Sequence, residues 1–202
     1  MTKSQEIRLS LRLAPKRMEH TEGVVLAALR LAERHFPFLN TEEVEWASLL
    51  HDCTKEYRPE QHIALLAEYG ETATEAERIS PKLLHARTGA LLAEKVFGMP
   101  DHVVSSIRWH TTGRENMTPL ECVLYLADYI EDNRTFPGCV ALRRFYEETY
   151  AVSPDTALTE TLVRSFDMTI ADLLEEGQPV DLHTVQARNY YLILKKGNEH
   201  HE

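Results

Sequence analysis

Apolar residues recur along this chain at three- and four-residue steps, and no segment alternates with the period of two that a half-buried strand requires. The pattern predicts an all-α fold. Asn40 or Thr41 can cap a helix running towards Cys53, and Pro59, whose fixed φ suits a first helical position, opens another towards Tyr69. Pro81 to Leu84 leads into a helix that stops at Gly98, and Pro100 starts the next, which runs to His110. Thr118, Pro119 and Glu121 supply an N-cap, a first-turn proline and a capping-box acid ahead of LECVLYLADYIED. Ser153-Pro154 opens a long helix with Leu158, Leu162, Phe166, Ile170 and Leu174 at four-residue steps. Gly177 ends it, and Asp181 starts a last helix to about Lys196.

Several of these stripes end in a polar residue. His20 leads Val24, Ala27 and Leu31, while His85 leads Gly89, Leu92 and Val96; His110 closes Val103 and Ile107, and His51 closes Val44 and Ala47. Asp128 lies four residues after Leu124, on the same inward side. One such histidine is ordinarily a satisfied core residue. Five inward polar ends and the doublet His51-Asp52 imply a shared destination instead. A buried ionised carboxylate costs several kcal/mol unless it is paired or bound to a cation, so the pattern predicts a metal site inside the helical bundle. His20, His51, Asp52 and Asp128 mix nitrogen and oxygen donors without a thiolate, which favours octahedral iron, manganese, cobalt or nickel over a tetrahedral structural zinc. His85 and His110 either complete a second metal site, with Asp52 bridging, or contact a substrate phosphate; the spacing leaves both open.

Composition narrows the function classes. A length of 202 residues suffices for a full core and predicts one domain spanning 1–202. The 22 Lys and Arg against 32 Asp and Glu give a formal charge of −10, which argues against nucleic-acid or anionic-membrane binding by bulk electrostatics. A polyanionic substrate would need a local cationic site. Cys53, Cys122 and Cys139 form no paired framework and read as reduced, mostly buried thiols. The opening MTKSQEIRLSLRLAPKR lacks a signal-type apolar core, and no later segment reaches membrane-spanning length, so a cytoplasmic address is expected. His200 and His201 read as a tail feature.

The strings RMEHTEGV, LLHDCTK, LLHARTGA, HTTGR, YLADYIEDNR and FPG occur in order. In these the chain resembles the HD-domain metal-dependent phosphohydrolases, an all-helical family named for the doublet, and within it the YqeK subfamily, from about Arg17 to Glu175. The resemblance implies a core of about 17–175 with a C-terminal helix of about 181–196. It further implies iron, as one or two ions, and a symmetrical bis(5'-nucleosyl)-tetraphosphatase activity that splits diadenosine tetraphosphate into two ADP. Arg87 and Asp132 stand where proline is common in the subfamily.

A bound metal lowers the pKa of water from about 15.7 to about 7, and attack of the resulting hydroxide on phosphorus is the implied step. Fixed cations near the motifs then stabilise charge on the phosphoryl oxygens. Asp52, Lys55, His85 and His110 are the expected catalytic set, and Arg17, Lys55, His85, His110, Thr111 and Arg134 the expected phosphate contacts. The resemblance adds Thr169 and Ile170 beside the nucleoside, although periodicity alone makes Ile170 and Leu173 core residues. Arg58 and Arg114 read as surface or helix-end cations, and His35, His62, His102 and His183 as exposed or capping. A mononucleotidase or pyrophosphatase is the near alternative; a di-iron oxygenase and a non-catalytic nucleotide sensor rank lower. Monomer or homodimer is left open.

Overall fold

A computed structural model describes residues 1–199; His200 and His201 lie outside the described residues. Among the described residues there are eleven α-helices and no strand. They are α1 Lys3–Ser10, α2 Pro15–His35, α3 Thr41–Leu50, α4 Pro59–Glu68, α5 Glu75–Ile79, α6 Leu84–Lys95, α7 Asp101–Trp109, α8 Pro119–Ile130, α9 Pro137–Val152, α10 Pro154–Glu175 and α11 Leu182–Glu199, with a single 3₁₀ turn at Pro81–Leu83 before α6.

The sequence of α8 is apolar on every side, and a helix of that kind must be surrounded. It is: α2, α7, α9 and α10 all pack on it, and Cys122 through Asp128 are buried without interruption. Val24 and Leu31 of α2, Leu49 and Leu50 of α3, Ile107 of α7 and Phe166 of α10 complete one continuous core, with the Tyr125 and Phe166 rings stacked at 4.7 Å. The caps act as the sequence implies. The Asn40 side chain accepts the Glu42 N–H at 3.0 Å, and Thr118 and Glu121 close a capping box.

Some expectations are corrected. Val96 and Leu174 are exposed, so the stripes behind His85 and along α10 end sooner than their spacing implies. Both lie near helix ends, beyond the neighbouring helices. Ile170 and Leu173 are half-buried and not core. His62 is buried, with its Nδ1 2.8 Å from Thr88 Oγ1, and His35 is half-buried against the Tyr146 hydroxyl at 2.9 Å, so neither is an exposed or capping histidine. His102 and His183 are exposed as expected. No helix among the described residues is long and apolar enough to cross a membrane.

Candidate metal centre

The turn that follows α3 brings His51 and Asp52 to the middle of the bundle; α2 supplies His20, α6 His85, the end of α7 His110, and α8 Asp128. All but His20 are buried, and the His20 side chain is only 11% exposed. Their donor atoms form three overlapping groups, each within 4.8 Å: His20, His51 and Asp52; His51, His110 and Asp128; Asp52, His85 and His110. Asp52 joins the first to the third.

The hydrogen bonds fix which nitrogen of each ring faces inward. Carbonyl and carboxylate oxygens can only accept, so the Nδ1 atoms donate: His51 to Ser48 O at 2.7 Å, His110 to Ile107 O at 2.7 Å, His85 to Lys82 O, and His20 to Glu131 Oε1 at 3.1 Å. In the neutral ring every Nε2 is then the unprotonated nitrogen and faces the centre, as in metal-ligating histidines when an outer oxygen holds the other nitrogen. His20 Nε2, His51 Nε2 and Asp52 Oδ1 are buried without a hydrogen-bond partner. His85 Nε2 and His110 Nε2 confront each other at 3.1 Å, an arrangement of two lone pairs that calls for a cation between or beside them. The residues present thus fit one or two divalent cations by donor type, protonation and orientation.

Electrostatics agree. Burial holds the His51 and His85 imidazoles down to about 4, keeping them neutral. Burial opposes ionisation of Asp52, but the imidazoles around it and Lys55 outweigh that and hold it well below the usual carboxylate range. Asp128 is also held well below the usual carboxylate range, against burial, by Arg134 and His20. Burial lowers His20, and the carboxylates of Asp128, 3.1 Å from its Nε2, and Glu131 reverse the sign and leave it raised.

Three cations stand at the rim. Arg17 Nη1 donates to Asp52 Oδ2 at 2.7 Å, Lys55 Nζ donates to His85 Nε2 at 3.0 Å, and Arg134 Nη2 donates to Asp128. Thr111 Oγ1 lies 3.3 Å from His85 Nε2 and 3.4 Å from His110 Nε2. A cavity of about 570 Å³ opens from this rim, lined by Arg17, His20 and Arg134 together with Lys16 and Glu131. Thr169 stands further off, its hydroxyl 2.5 Å from that of Tyr129, the neighbour of Asp128. Ile170 is not among the residues brought to the cluster. Arg114 turns away to Glu121 at 3.0 Å, and Arg58 is exposed. Of the two departures from the subfamily pattern, Arg87 clasps Glu71 and Glu77, and Asp132 pairs with Arg30 at 3.0 Å while bordering the large cavity.

Sequence reasoning missed Glu131. It is buried, orients His20, and accepts the Asn133 N–H at 2.7 Å. Its position three residues after Asp128, on the same helical face, was the available signal.

An all-α bundle that gathers four imidazoles and two carboxylates from five segments at one buried point is a metal-centre protein. The chain belongs to the HD-domain family, whose profile matches residues 17–133. It is 35% identical over 179 residues to the Bacillus subtilis protein named symmetrical bis(5'-nucleosyl)-tetraphosphatase, covering 88% of this chain and 90% of that one. A Halalkalibacterium halodurans protein of the same name is 33% identical over 91% of this chain and 93% of its own. A crystal structure described as a predicted HD superfamily hydrolase involved in NAD metabolism, from Clostridium acetobutylicum, superposes with a TM-score of 0.79 at 36% identity, covering 91% of this chain and 92% of that chain.

Proposed function

We propose that this protein is a cytoplasmic, metal-dependent hydrolase that cleaves diadenosine tetraphosphate symmetrically to two ADP, acting as one HD unit over 1–202. The observation that carries the reading is the convergence of four inward-facing Nε2 atoms and two ionised carboxylates beside three rim cations and an open cavity. The names of the Bacillus subtilis and Halalkalibacterium halodurans relatives support the substrate.

His20, His51, Asp52 and Asp128 would hold the first cation, and His85 and His110 would hold a second or face the phosphate. Iron is the proposed metal, with manganese, cobalt or nickel as substitutes. When bound, the metal supplies Lewis acidity and a water acidified towards neutral pH. The chain supplies the rest. Arg17 and Arg134 rest on the two carboxylates a cation would engage, and Lys55 rests on His85; a cation taking those acceptors would release the N–H groups for phosphoryl oxygens in charge-assisted bonds. Thr111 adds a hydroxyl at the His85 and His110 end, and Thr169 and Ile170 border a nucleoside.

The test is chromatography of early products from metal-loaded protein and diadenosine tetraphosphate in water enriched in heavy oxygen. Two ADP per substrate, with one label on a terminal phosphate, is expected. AMP with ATP as dominant products would reject the symmetrical assignment, and metal analysis of the same sample tests iron.

A further inference from the structure

We infer that the cavity on the far side of Thr111 from the histidine cluster is a purine subsite that seats one nucleoside of a dinucleoside polyphosphate. The inference rests on the phosphohydrolase reading above and adds a second base position to it. The cavity measures about 280 Å³, and Trp109, Arg108, His183, Thr111 and Thr112 are among its walls. It is distinct from the cavity of about 570 Å³ that reaches the centre at Arg17, His20 and Arg134.

The shape of the centre links the two. Asp52 is shared by a group containing His20 and a group containing His85 and His110, so the donors form a row. The larger cavity meets the row at His20. The smaller meets it through Thr111, whose hydroxyl is within 3.4 Å of both His85 and His110. A polyphosphate lying across the row has a cavity at each end, as a substrate with a nucleoside at each end requires.

The walls suit a base. Trp109 belongs to neither apolar core cluster, and its ring instead lies 4.7 Å from the His183 ring, centroid to centroid, at 49°. His183 is itself fixed: Asp181 Oδ1 accepts from its backbone N–H at 2.8 Å and lies 2.9 Å from its Nδ1. The Arg108 guanidinium is 5.8 Å from the Trp109 ring centroid. Aromatic and guanidinium planes are the groups on which nucleobases stack. The centre described above uses none of these three side chains.

The experiment uses a Trp46→Phe variant of the metal-loaded protein, which leaves Trp109 as its one tryptophan. Titration with a methylene-bridged, uncleavable analogue of diadenosine tetraphosphate should quench the Trp109 emission, and inorganic tripolyphosphate should not. In turnover, Trp109→Ala should raise KM for diadenosine tetraphosphate by roughly tenfold to a hundredfold, with kcat and the ADP product retained, and Trp109→Phe should restore most of the loss. If Trp109→Ala does not fold, Arg108→Ala gives the KM test in its place. The subsite is overturned if calorimetry shows the analogue binding without a change in emission, if the analogue does not bind, or if KM is unmoved. Failure of wild-type protein to yield ADP would sink the parent reading alone, because the quenching titration needs no turnover.

Discussion

Each of the four histidines at the centre has its Nδ1 tied to an oxygen of the protein, which fixes the neutral tautomer whose Nε2 faces the centre. Asp52→Ala removes the carboxylate shared by two donor groups, so bound metal should fall to a small fraction by elemental analysis and activity should vanish. His183→Ala should leave the metal content unchanged. Glu131→Gln should weaken metal binding roughly tenfold to a hundredfold, the usual cost of losing an outer oxygen behind a ligand histidine, with helicity retained in circular dichroism. Gly23→Ala makes the same point by another route. A Cβ there would lie 2.2 Å from Glu131 Oε2 and 2.8 Å from Asn133 Nδ2, so the carboxylate must move off His20. Alanine is the better helix former by about 1 kcal/mol, and metal affinity should therefore fall while thermal stability changes little. At this scale the clustered histidines and carboxylates were legible because they sit on apolar stripes where a polar residue needs a reason. Glu131 was overlooked although it falls three residues after Asp128, and the resting place of Arg17 on Asp52, on another segment, leaves no periodic trace. His62 was misread for a related cause: its partner Thr88 lies on another helix.

The helices opened by Pro59, Pro100, Thr118-Pro119 and Ser153-Pro154 were read from the sequence close to their true limits, because those signals are local, whereas α9 went unread although Pro137 opens it. The N-terminal α1 escaped. It buries little beyond Ser4 and Ile7, and is held by Arg8 on Glu22 at 2.7 Å and on Glu45 at 2.8 Å. The short α5 escaped too, being fastened by the clasp of Arg87 on Glu71 and Glu77. Burial opposes ionisation of Glu77, but Arg87 and the Thr74 N–H outweigh it and lower its pKa. A carboxyl depressed on folding stabilises above its unfolded pKa, and the contribution is lost as pH falls through the folded value. Denaturant midpoints taken from about pH 6 down to about pH 3 should fall less steeply in Glu77→Gln than in the wild type. The link between α7 and α8 depends on Gly113, at φ +63°, where a Cβ would sit 2.7 Å from the Phe166 ring. Gly113→Ala meets both backbone strain and overpacking, and urea denaturation should show a loss of about 3 kcal/mol.

At the scale of the whole molecule, the centre draws on α2, the turns that close α3 and α7, α6, and α8, which are far apart in the chain. A cation bound there has nothing comparable to bind once those segments separate, so saturating metal should stabilise the native state as a whole. At a hundred times its dissociation constant the gain is about 2.7 kcal/mol, or roughly 5 to 10 °C in melting temperature for a chain of this size. A chelator should reverse that shift in calorimetry. The dispersal of the ligands also has a kinetic side. His20 and Asp128 meet only after α2, α3 and α8 have docked, and His85 and His110 only after α6 and α7 have joined them. Ion capture is thereby a closing event, downstream of the folding barrier. In stopped-flow chevrons, metal should leave the refolding arm where it is and lower the unfolding arm, turning the ion into a latch on an already assembled bundle and not a template for it.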